Sequence, residues 1–302
     1  MFTFPNLRVG GLIKHKSLAV FPLFAESGGG INYLLADEAI AGGTVKVEEV
    51  GEAGSVPELL VDNQDDALVL FLEGEELRGA KQNRVLNTSV LVAAKTRTKI
   101  PVSCVEQGRW RYQSRHFGSA GSHGSPKLRH VLKKSVQNSA MAGAGHRSDQ
   151  GEVWREVQRQ MNSLGSVSET MAMSDTYETH GDQVAEYKAN VPYVDGAVGL
   201  AVAVAGKVVS VDLFDKPATC RKVWNRLLTG SIMDALEAAE SDAVVGPDAI
   251  EQTVGNLRNA PWRQAEPVGT GSEYLAELDG TRHASALTLG ESLVHASLIV
   301  AA

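Results

Sequence analysis

Cysteines, aromatic residues and long apolar runs are all scarce in this 302-residue chain. Its two cysteines, Cys104 and Cys220, are too few for a disulfide framework or a cysteine-rich zinc site. The longest apolar stretch, residues 198–211, is interrupted by two glycines and a lysine, which excludes a membrane-spanning helix there. The first residues lack the basic start, apolar run and small-residue cleavage site of a secretory signal. We therefore expect a soluble, cytoplasmic protein with no membrane partner.

Positive charge is concentrated in one part of an otherwise acidic sequence. Residues 78–147, here called the basic block, hold 14 Lys or Arg and one acidic residue, whereas residues 1–77 and 148–302 carry net charges of −9 and −11. A local charge of +13 is unfavourable unless acidic neighbours or an anionic ligand offset it. Both explanations stay open here. The sequence contains no helix-turn-helix, zinc-finger or RNA-recognition pattern, so we do not expect duplex nucleic acid as a partner.

The first third of the chain is predicted to be rich in strands. Apolar and β-branched segments recur there between Asn, Asp and Gly turn signals. The predicted strands cover residues 17–25, 44–50, 58–63, 67–77, 84–94 and 100–107, with a short helix within residues 31–41. Residues 111–126 are rich in Gly, Ser and His without periodicity, and are therefore predicted as a long loop.

Helices are predicted for the middle of the chain, and helices mixed with strands for its last third. Ser125 starts a helix whose one face is apolar and whose other face carries Arg129 and Lys133, and Asp149 caps a second helix. We further predict a helix over 175–189, a hairpin turning at 206–207, helices over 217–236 and 247–258 with Asp215 as a cap, and three terminal strands. Strands in runs rather than in alternation with helices favour an α+β fold. We expect one packed unit over 1–302, strand-rich over 1–110, helical over 125–190 and mixed over 191–302.

Two polar clusters in residues 72–112 are the strongest candidates for a functional site. The first contains Glu73, Glu75 and Glu76 followed by the segment GAKQNR, and the second is CVEQGRW, residues 104–110. If the strands between them pair antiparallel, both clusters lie at the same end of a sheet. Lys81, Arg84 and Arg109 are then candidate phosphate ligands, and Gln82 and Asn83 can hydrogen-bond a sugar or an amide. The alternative is a hairpin with charged turns.

The chemistry of the acidic residues and of the thiol is open from the sequence alone. Cys104 and Glu106 are two residues apart on a predicted strand and so share a face, either as a nucleophile with an acid/base partner or with the cysteine simply packed. Glu73 and Glu106 could instead act as a pair, with a divalent ion such as Mg²⁺ or Mn²⁺ and a bound phosphate. The segment GEELRGAK lacks the spacing of a phosphate-binding P-loop.

The long central motifs resemble the ARPP domain family, the ARG and rhodanese-phosphatase-superfamily-associated protein domain. The similarity is carried by GEELRGAKQNRVLNTSVLV and IPVSCVEQGRWRY, and extends through INYLLADEAIAGG, SVPELLVDN, SDQGEVW and VDLFDKP over nearly the whole chain. The resemblance implies a role around ADP-ribose or NAD-derived nucleotides, because the family is grouped with ADP-ribosylglycohydrolases and with rhodanese-type or phosphatase proteins. Its motifs correspond here to Glu73, Glu75, Lys81, Gln82, Asn83, Arg84, Cys104, Glu106, Arg109 and Trp110.

The leading hypothesis is a protein that binds an anionic nucleotide such as ADP-ribose. An enzyme built on this site would hydrolyse or transfer a group at a phosphate or glycosidic bond. The catalytic candidates are Glu73, Glu106 and Cys104, and the ligand-binding candidates are Lys81, Gln82, Asn83, Arg84, Arg109 and Trp110. The alternatives are a non-catalytic nucleotide sensor and a homo-oligomer in which the basic block of one chain meets the acidic parts of another.

Overall fold

The computed structural model describes residues 2–26, 30–51, 54–239, 241 and 243–301. Within these ranges the chain forms 18 strands and seven helices. The strands are β1 (Leu7–Val9), β2 (Ile13–His15), β3 (Leu18–Ala25), β4 (Tyr33–Leu35), β5 (Val45–Glu49), β6 (Glu58–Asn63), β7 (Leu68–Phe71), β8 (Glu75–Gly79), β9 (Arg84–Leu86), β10 (Val90–Val92), β11 (Thr96–Cys104), β12 (Phe117–His123), β13 (Gly199–Val204), β14 (Lys207–Phe214), β15 (Arg263–Ala265), β16 (Ser272–Glu277), β17 (Arg282–Leu289) and β18 (Ser292–Val300). The helices are α1 (Ala36–Ala41), α2 (Pro126–Met141), α3 (Gln150–Ser163), α4 (Met173–Thr179), α5 (Gly181–Asn190), α6 (Pro217–Glu237) and α7 (Pro247–Arg258). The predicted α+β class is confirmed.

The largest sheet has nine strands and joins the first and last parts of the chain. Its order is β1-β3-β13-β14-β18-β17-β16-β15, with β2 also paired to β3, and all its pairings are antiparallel. Alternate residues of β13 enter two different cores: Leu200 and Val202 pack in the cluster that contains Trp224 of α6, and Ala201 and Ala203 pack in the cluster that contains Ile250 of α7. The central strands are therefore covered on both faces, as their continuous apolar sequence requires.

Two smaller sheets carry the polar clusters. One has the order β10-β7-β4 and the other β12-β8-β9-β11-β6-β5. The segments 67–77 and 84–94, each predicted as one strand, instead form two strands that belong to different sheets, β7 and β8 in the first case and β9 and β10 in the second. The first change of sheet occurs at Gly74, whose φ of 78° suits a glycine. The second occurs at the polar residues 87–89, which separate the apolar halves of the segment.

Three other predicted elements differ in the structure. The predicted loop 111–126 contains β12, which pairs with β8, so cross-strand pairing overrides its Gly- and Ser-rich composition. The helix predicted over 175–189 is divided at His180 into α4 and α5. Asp215 does not cap α6: Lys216 holds the N-cap position, and Asp215 accepts a hydrogen bond from the Tyr33 hydroxyl.

Several helix boundaries agree with the sequence. The Ser125 side chain accepts a hydrogen bond from the Leu128 N–H at the start of α2, and Asp149 accepts one from the Glu152 N–H at the start of α3. These are the contacts of N-cap residues, which satisfy backbone donors that have no partner inside the helix. Among the described residues, no helix combines the length and the hydropathy needed to cross a bilayer.

Candidate functional site

The two polar clusters of the sequence meet where β9 pairs with β11. Antiparallel pairing places Arg84 opposite Cys104, so the turn that precedes β9 and the segment that follows β11 lie at the same end of the sheet. A second contact holds the later segment from its other side, since the Gly108 N–H donates to the Thr170 carbonyl over 2.7 Å. A Cβ at position 108 would lie 2.9 Å from the Thr170 Cα, so this approach requires glycine.

Arg109 ties the two clusters together and uses all of its donors within the chain. Its Nε and Nη2 donate to the two carboxylate oxygens of Glu106 over 2.8 and 2.6 Å. Its Nη1 and Nη2 also reach the Ala80 carbonyl at 2.7 Å, the Arg111 carbonyl at 3.1 Å, the Asn83 Oδ1 at 3.0 Å and the Gly79 carbonyl at 3.3 Å. A guanidinium group has five N–H donors, and six acceptors surround this one. Arg109 therefore positions the site rather than offering free donors to a ligand.

Glu106 is held as a carboxylate by four hydrogen bonds. Besides the two from Arg109, it accepts from the Thr170 hydroxyl at 2.8 Å and from the Asn83 N–H at 3.0 Å. Burial alone would raise the pKa of Glu106, but these hydrogen bonds and the Arg109 charge outweigh burial and hold its pKa below the usual value. A carboxylate saturated in this way is a weak general base. The catalytic role of Glu106 stays a prediction.

Cys104 is packed at the end of β11. It is fully buried, and its backbone N–H and carbonyl are both hydrogen-bonded to the side-chain amide of Gln150, over 2.7 and 2.8 Å. Burial raises the pKa of the thiol to about 11. At neutral pH the thiol is therefore protonated. The geometry favours the packed alternative, and a nucleophilic role for Cys104 stays untested.

Arg84 is enclosed rather than open to solvent. Its Nη1 donates to the carbonyl and the side-chain oxygen of Gln82, and its Nη2 lies 3.6 Å from Glu49 Oε1. The Nε and Nη2 atoms have no hydrogen-bond partner among the described residues. The Trp110 ring, half exposed, lies over both Arg84 and Lys81 at 5.6 and 5.5 Å from its centroid. A ligand could reach Arg84 only after the Trp110 side chain moves.

Glu73 does not join the other candidates. It lies in a separate buried network, where it accepts from Arg129 Nη2 at 2.8 Å and from Lys133 Nζ at 2.5 Å. Asp212 accepts from the same Arg129 over 2.6 Å, and among the described residues the hydrogen-bond partners of Glu106 are Arg109, Thr170 and the Asn83 N–H, which lie outside this network. The two carboxylates that the sequence left open as a pair are thus apart. In the described ranges, no group of three or more His, Cys, Asp or Glu side chains is placed to hold a metal ion.

Sequence reasoning missed the inward-facing cations of α2. The helical pattern predicts that Arg129 and Lys133 lie on the solvent face, opposite the apolar stripe, yet both are only 4% exposed. Helix α2 packs against β17 and β18 as well as against α3 and α6, so both of its faces are covered. The available signal was the four-residue spacing of the two cations together with Asp212 inside an apolar strand, since a buried carboxylate needs a cationic partner.

Acidic residues of the same chain offset most of the basic block. Its cations pair with residues from the acidic parts on either side of it. The pairs are Arg78–Glu178, Arg84–Glu49, Lys95–Asp66, Arg97–Glu48, Lys99–Glu58, Lys127–Glu237, Arg129–Asp212 and Lys133–Glu73. Arg111 and Arg115 are exposed and form no ion pair within the described part of the chain. Lys134 and Arg147 are likewise exposed without an ion pair among the described residues, but only Arg111 and Arg115 of these four directly follow the second polar cluster in the chain.

Two adjoining cavities open at residues 111–115. The first, here called the Glu106 cavity, has a volume of about 310 Å³ and is lined by Arg78, Asn83, Glu106, Arg109, Arg111, Tyr112, Gln113, Thr170, Ala172, Ser174 and Asp175. The second, here called the Leu60 cavity, has a volume of about 710 Å³ and is lined by Glu48, Glu49, Gly51, Leu60, Arg97, Tyr112, Gln113, Ser114 and Arg115. Tyr112 and Gln113 line both, so they form the wall between them.

Glu76 is a buried carboxyl whose charge depends on pH near neutrality. It accepts a hydrogen bond from the Ser122 hydroxyl over 2.5 Å, and its other oxygen has no partner among the described residues. Burial, the dominant cause, raises its pKa to about 7, and Arg78, Glu106 and Asp175 of the Glu106 cavity also act on this pKa. The proton is therefore bound more tightly in the folded than in the unfolded chain.

Glu76→Gln should change how stability depends on pH. Because its folded-state pKa is raised, Glu76 costs no stability below its unfolded pKa of about 4.3, and it opposes folding increasingly as the pH rises from there to about 7. Wild type should therefore lose stability relative to Glu76→Gln between about pH 4.5 and 7, with little further change above pH 7, measured by urea unfolding. The matched control is Glu251→Gln, an exposed position on α7, which should follow wild type. Parallel curves for wild type and Glu76→Gln would contradict the assignment.

The chain is thus an α+β protein with a polar site at one sheet end. The site is built on a buried Arg–Glu pair and is flanked by arginines that form no ion pair with any described residue. The family model ARPP-1, ARG and Rhodanese-Phosphatase-superfamily-associated Protein domain, matches residues 6–299, and the chain belongs to this family. Comparisons with curated proteins and with solved structures gave no match.

Proposed function

We propose that this ARPP-1 protein binds a phosphate-bearing, nucleotide-like anion in the Glu106 cavity. The observation that carries the proposal is the exposed guanidinium of Arg111, which lines this cavity and forms no ion pair within the described residues. Three arginines line the cavity, and of these Arg109 pairs with Glu106 and Arg78 pairs with Glu178, which leaves Arg111 as the one that meets no carboxylate among the described residues. Guanidinium groups match phosphate oxygens in geometry and stay charged at all physiological pH values.

The neutral groups of the Glu106 cavity suit a sugar hydroxyl. The Asn83 side-chain amide lies 3.4 Å from the Ser174 hydroxyl, a long contact that either group can exchange for a ligand. Asn83 is in turn fixed by Arg109 and Glu106, so its orientation is set before a ligand arrives. The description of the family, which associates it with ARG and rhodanese-phosphatase proteins, makes ADP-ribose or an NAD-derived nucleotide the first ligand to test.

Binding without turnover is favoured over hydrolysis by the state of the catalytic candidates. Glu106 has its acceptor positions occupied, the Cys104 thiol stays protonated, and Glu73 is enclosed in another network. The hydrogen bonding, protonation and burial of these side chains therefore fit a nucleotide sensor better than a hydrolase. The internal ion pairs of the basic block also remove the main reason for proposing that it meets the acidic parts of a second chain.

Arg111→Ala should weaken binding of ADP-ribose and of pyrophosphate by about tenfold, because one charge-assisted hydrogen bond is lost. The measurement is isothermal titration calorimetry at low salt, without and with Mg²⁺ or Mn²⁺. The control is Arg155→Ala, an exposed arginine on α3 whose loss should leave affinity unchanged. Equal affinities for the two variants would rule out the Glu106 cavity as the anion site, as would the absence of binding by wild type.

A further inference from the structure

We propose that the Leu60 cavity holds the base of the bound nucleotide and that Tyr112 is the side chain on which the base stacks. This inference rests on the proposed function, since it assigns the second half of the same ligand. It selects a nucleotide over an inorganic phosphate or a sugar phosphate. Tyr112 then acts as a specificity residue, and the role goes beyond the residues that the sequence motifs singled out.

The position of Tyr112 connects the two halves of such a ligand. Its side chain and that of Gln113 line both cavities, so a molecule with its phosphates beside Arg111 can extend past Tyr112 into the Leu60 cavity. The two residues directly follow Arg111 in the chain. The volume of about 710 Å³ falls within the range of about 300–1,000 Å³ that is usual for small-molecule sites.

The lining of the Leu60 cavity suits a neutral flat ring rather than a second phosphate. Two glutamates and two arginines line it, so the charges of the lining cancel: Arg97 pairs with Glu48 over 3.1 Å, the Glu49 carboxylate is buried beside Arg84, and Arg115 is exposed without an ion pair among the described residues. Leu60 and the Tyr112 ring supply apolar surface. Such a mixture of apolar walls and a few polar groups is typical of sites for aromatic heterocycles.

The Tyr112 ring is both held in place and available. The Lys81 ammonium lies 5.1 Å from its centroid and 5.5 Å from that of Trp110, so the cation sits between two aromatic rings. This cation–π contact orients the ring, while 53% of the residue stays exposed. A base stacked on an aromatic side chain contributes enough that alanine at that position weakens binding by at least about fivefold.

The test compares pyrophosphate, ADP and ADP-ribose in calorimetric titrations of the full chain. ADP should bind wild type more tightly than pyrophosphate does. Tyr112→Ala should weaken ADP and ADP-ribose by at least about fivefold and leave pyrophosphate within about twofold, whereas Tyr112→Phe, which keeps the ring, should bind all three like wild type. Arg111→Ala should weaken all three, which separates the phosphate contact from the base contact.

Two results would overturn the inference, and they are distinguishable. Pyrophosphate that binds as tightly as ADP, or equal losses for both ligands in Tyr112→Ala, would show that the base makes no contact there while leaving the anion site intact. No binding of any of the three ligands to wild type would refute the proposed function, and this inference with it. Melting temperatures of the variants within about 2 °C of wild type would exclude unfolding as the cause, since Tyr112 is largely exposed.

Discussion

Glu73→Gln should lower the free energy of unfolding by about 3–5 kcal/mol, because it leaves two cations buried against a single carboxylate. Glu73 accepts from Arg129, from Lys133 and from the hydroxyls of Ser285 and Ser297, over 2.5 to 3.0 Å. Together with Asp212 the charges balance, two negative against two positive. Glutamine removes one negative charge and fills the same space. The decrease in the free energy of unfolding therefore reflects the lost charge rather than a change in packing. Urea unfolding followed by circular dichroism measures it.

The stability of wild type at low pH gives a second test of the role of Glu73. Burial would raise the pKa of Glu73, but Lys133 and Arg129 outweigh burial and hold its pKa well below the usual value. A carboxyl with a lowered folded-state pKa stabilises the protein above the unfolded pKa of about 4.3 and loses that contribution as the pH falls below it. Wild type should therefore approach the stability of Glu73→Gln as the solution is made more acidic than about pH 4.

A double variant distinguishes lost charge balance from a lost hydrogen bond. Glu73→Gln combined with Lys133→Met restores neutrality, so it should be less destabilised than the sum of the two single changes. The exposed change Glu251→Gln should stay within about 0.5 kcal/mol of wild type. Additive single effects would mean that the buried charges act independently and that the network is not a unit.

Local patterns determined which elements could be predicted. The β9–β11 pairing joins two strands that are near in sequence, although β10 between them pairs with β7 in another sheet, and it brings residues 79–84 against residues 104–110, as expected from the sequence. The corners at residues 72–74 and 87–89 could not be predicted, because an apolar run has the same pattern whether it stays in one sheet or passes into another. The strand β12 was missed because its stability comes from pairing with β8 rather than from its own composition.

The sequence predicted that the two polar clusters lie together, as they do in the structure, but it carried no information on which of their side chains are buried. Lys81, Gln82, Asn83, Arg84, Glu106, Arg109 and Trp110 lie together at one sheet end. Glu73 leaves this group because β7 and β8 belong to different sheets, which directs the residues between them toward α2. Exposure then separates the cations: Arg84 and Arg109 are buried, whereas Arg111, in the same motif, is exposed. Turn residues show no periodic pattern of apolar and polar side chains, so the sequence does not indicate which of these arginines faces solvent.

Arg109→Met should lower the free energy of unfolding by about 3–5 kcal/mol, because Glu106 would stay buried without its cation. The Ala80 carbonyl and Asn83 Oδ1 would each lose one donor and keep another, the Gln113 N–H and the Gly79 N–H, so the turn before β9 would be held less tightly to the segment after β11. An arginine that serves only to grip a ligand could be removed with little effect on stability. The decrease in the free energy of unfolding, measured by thermal and urea unfolding, therefore shows whether Arg109 positions the site or only binds a ligand.

Two further variants test whether the effect depends on the planar guanidinium group of Arg109. Arg111→Met, two residues away and exposed, should change stability by less than about 0.5 kcal/mol while weakening pyrophosphate binding. Arg109→Lys keeps the charge but has no planar fork to reach both Glu106 oxygens and the carbonyl groups at once, so it should recover only part of the lost stability. Full recovery by lysine would show that charge alone holds Glu106. Equal stability of Arg109→Met and Arg111→Met would instead mean that the two clusters are held together by β9–β11 pairing, with Arg109 free to act on a ligand.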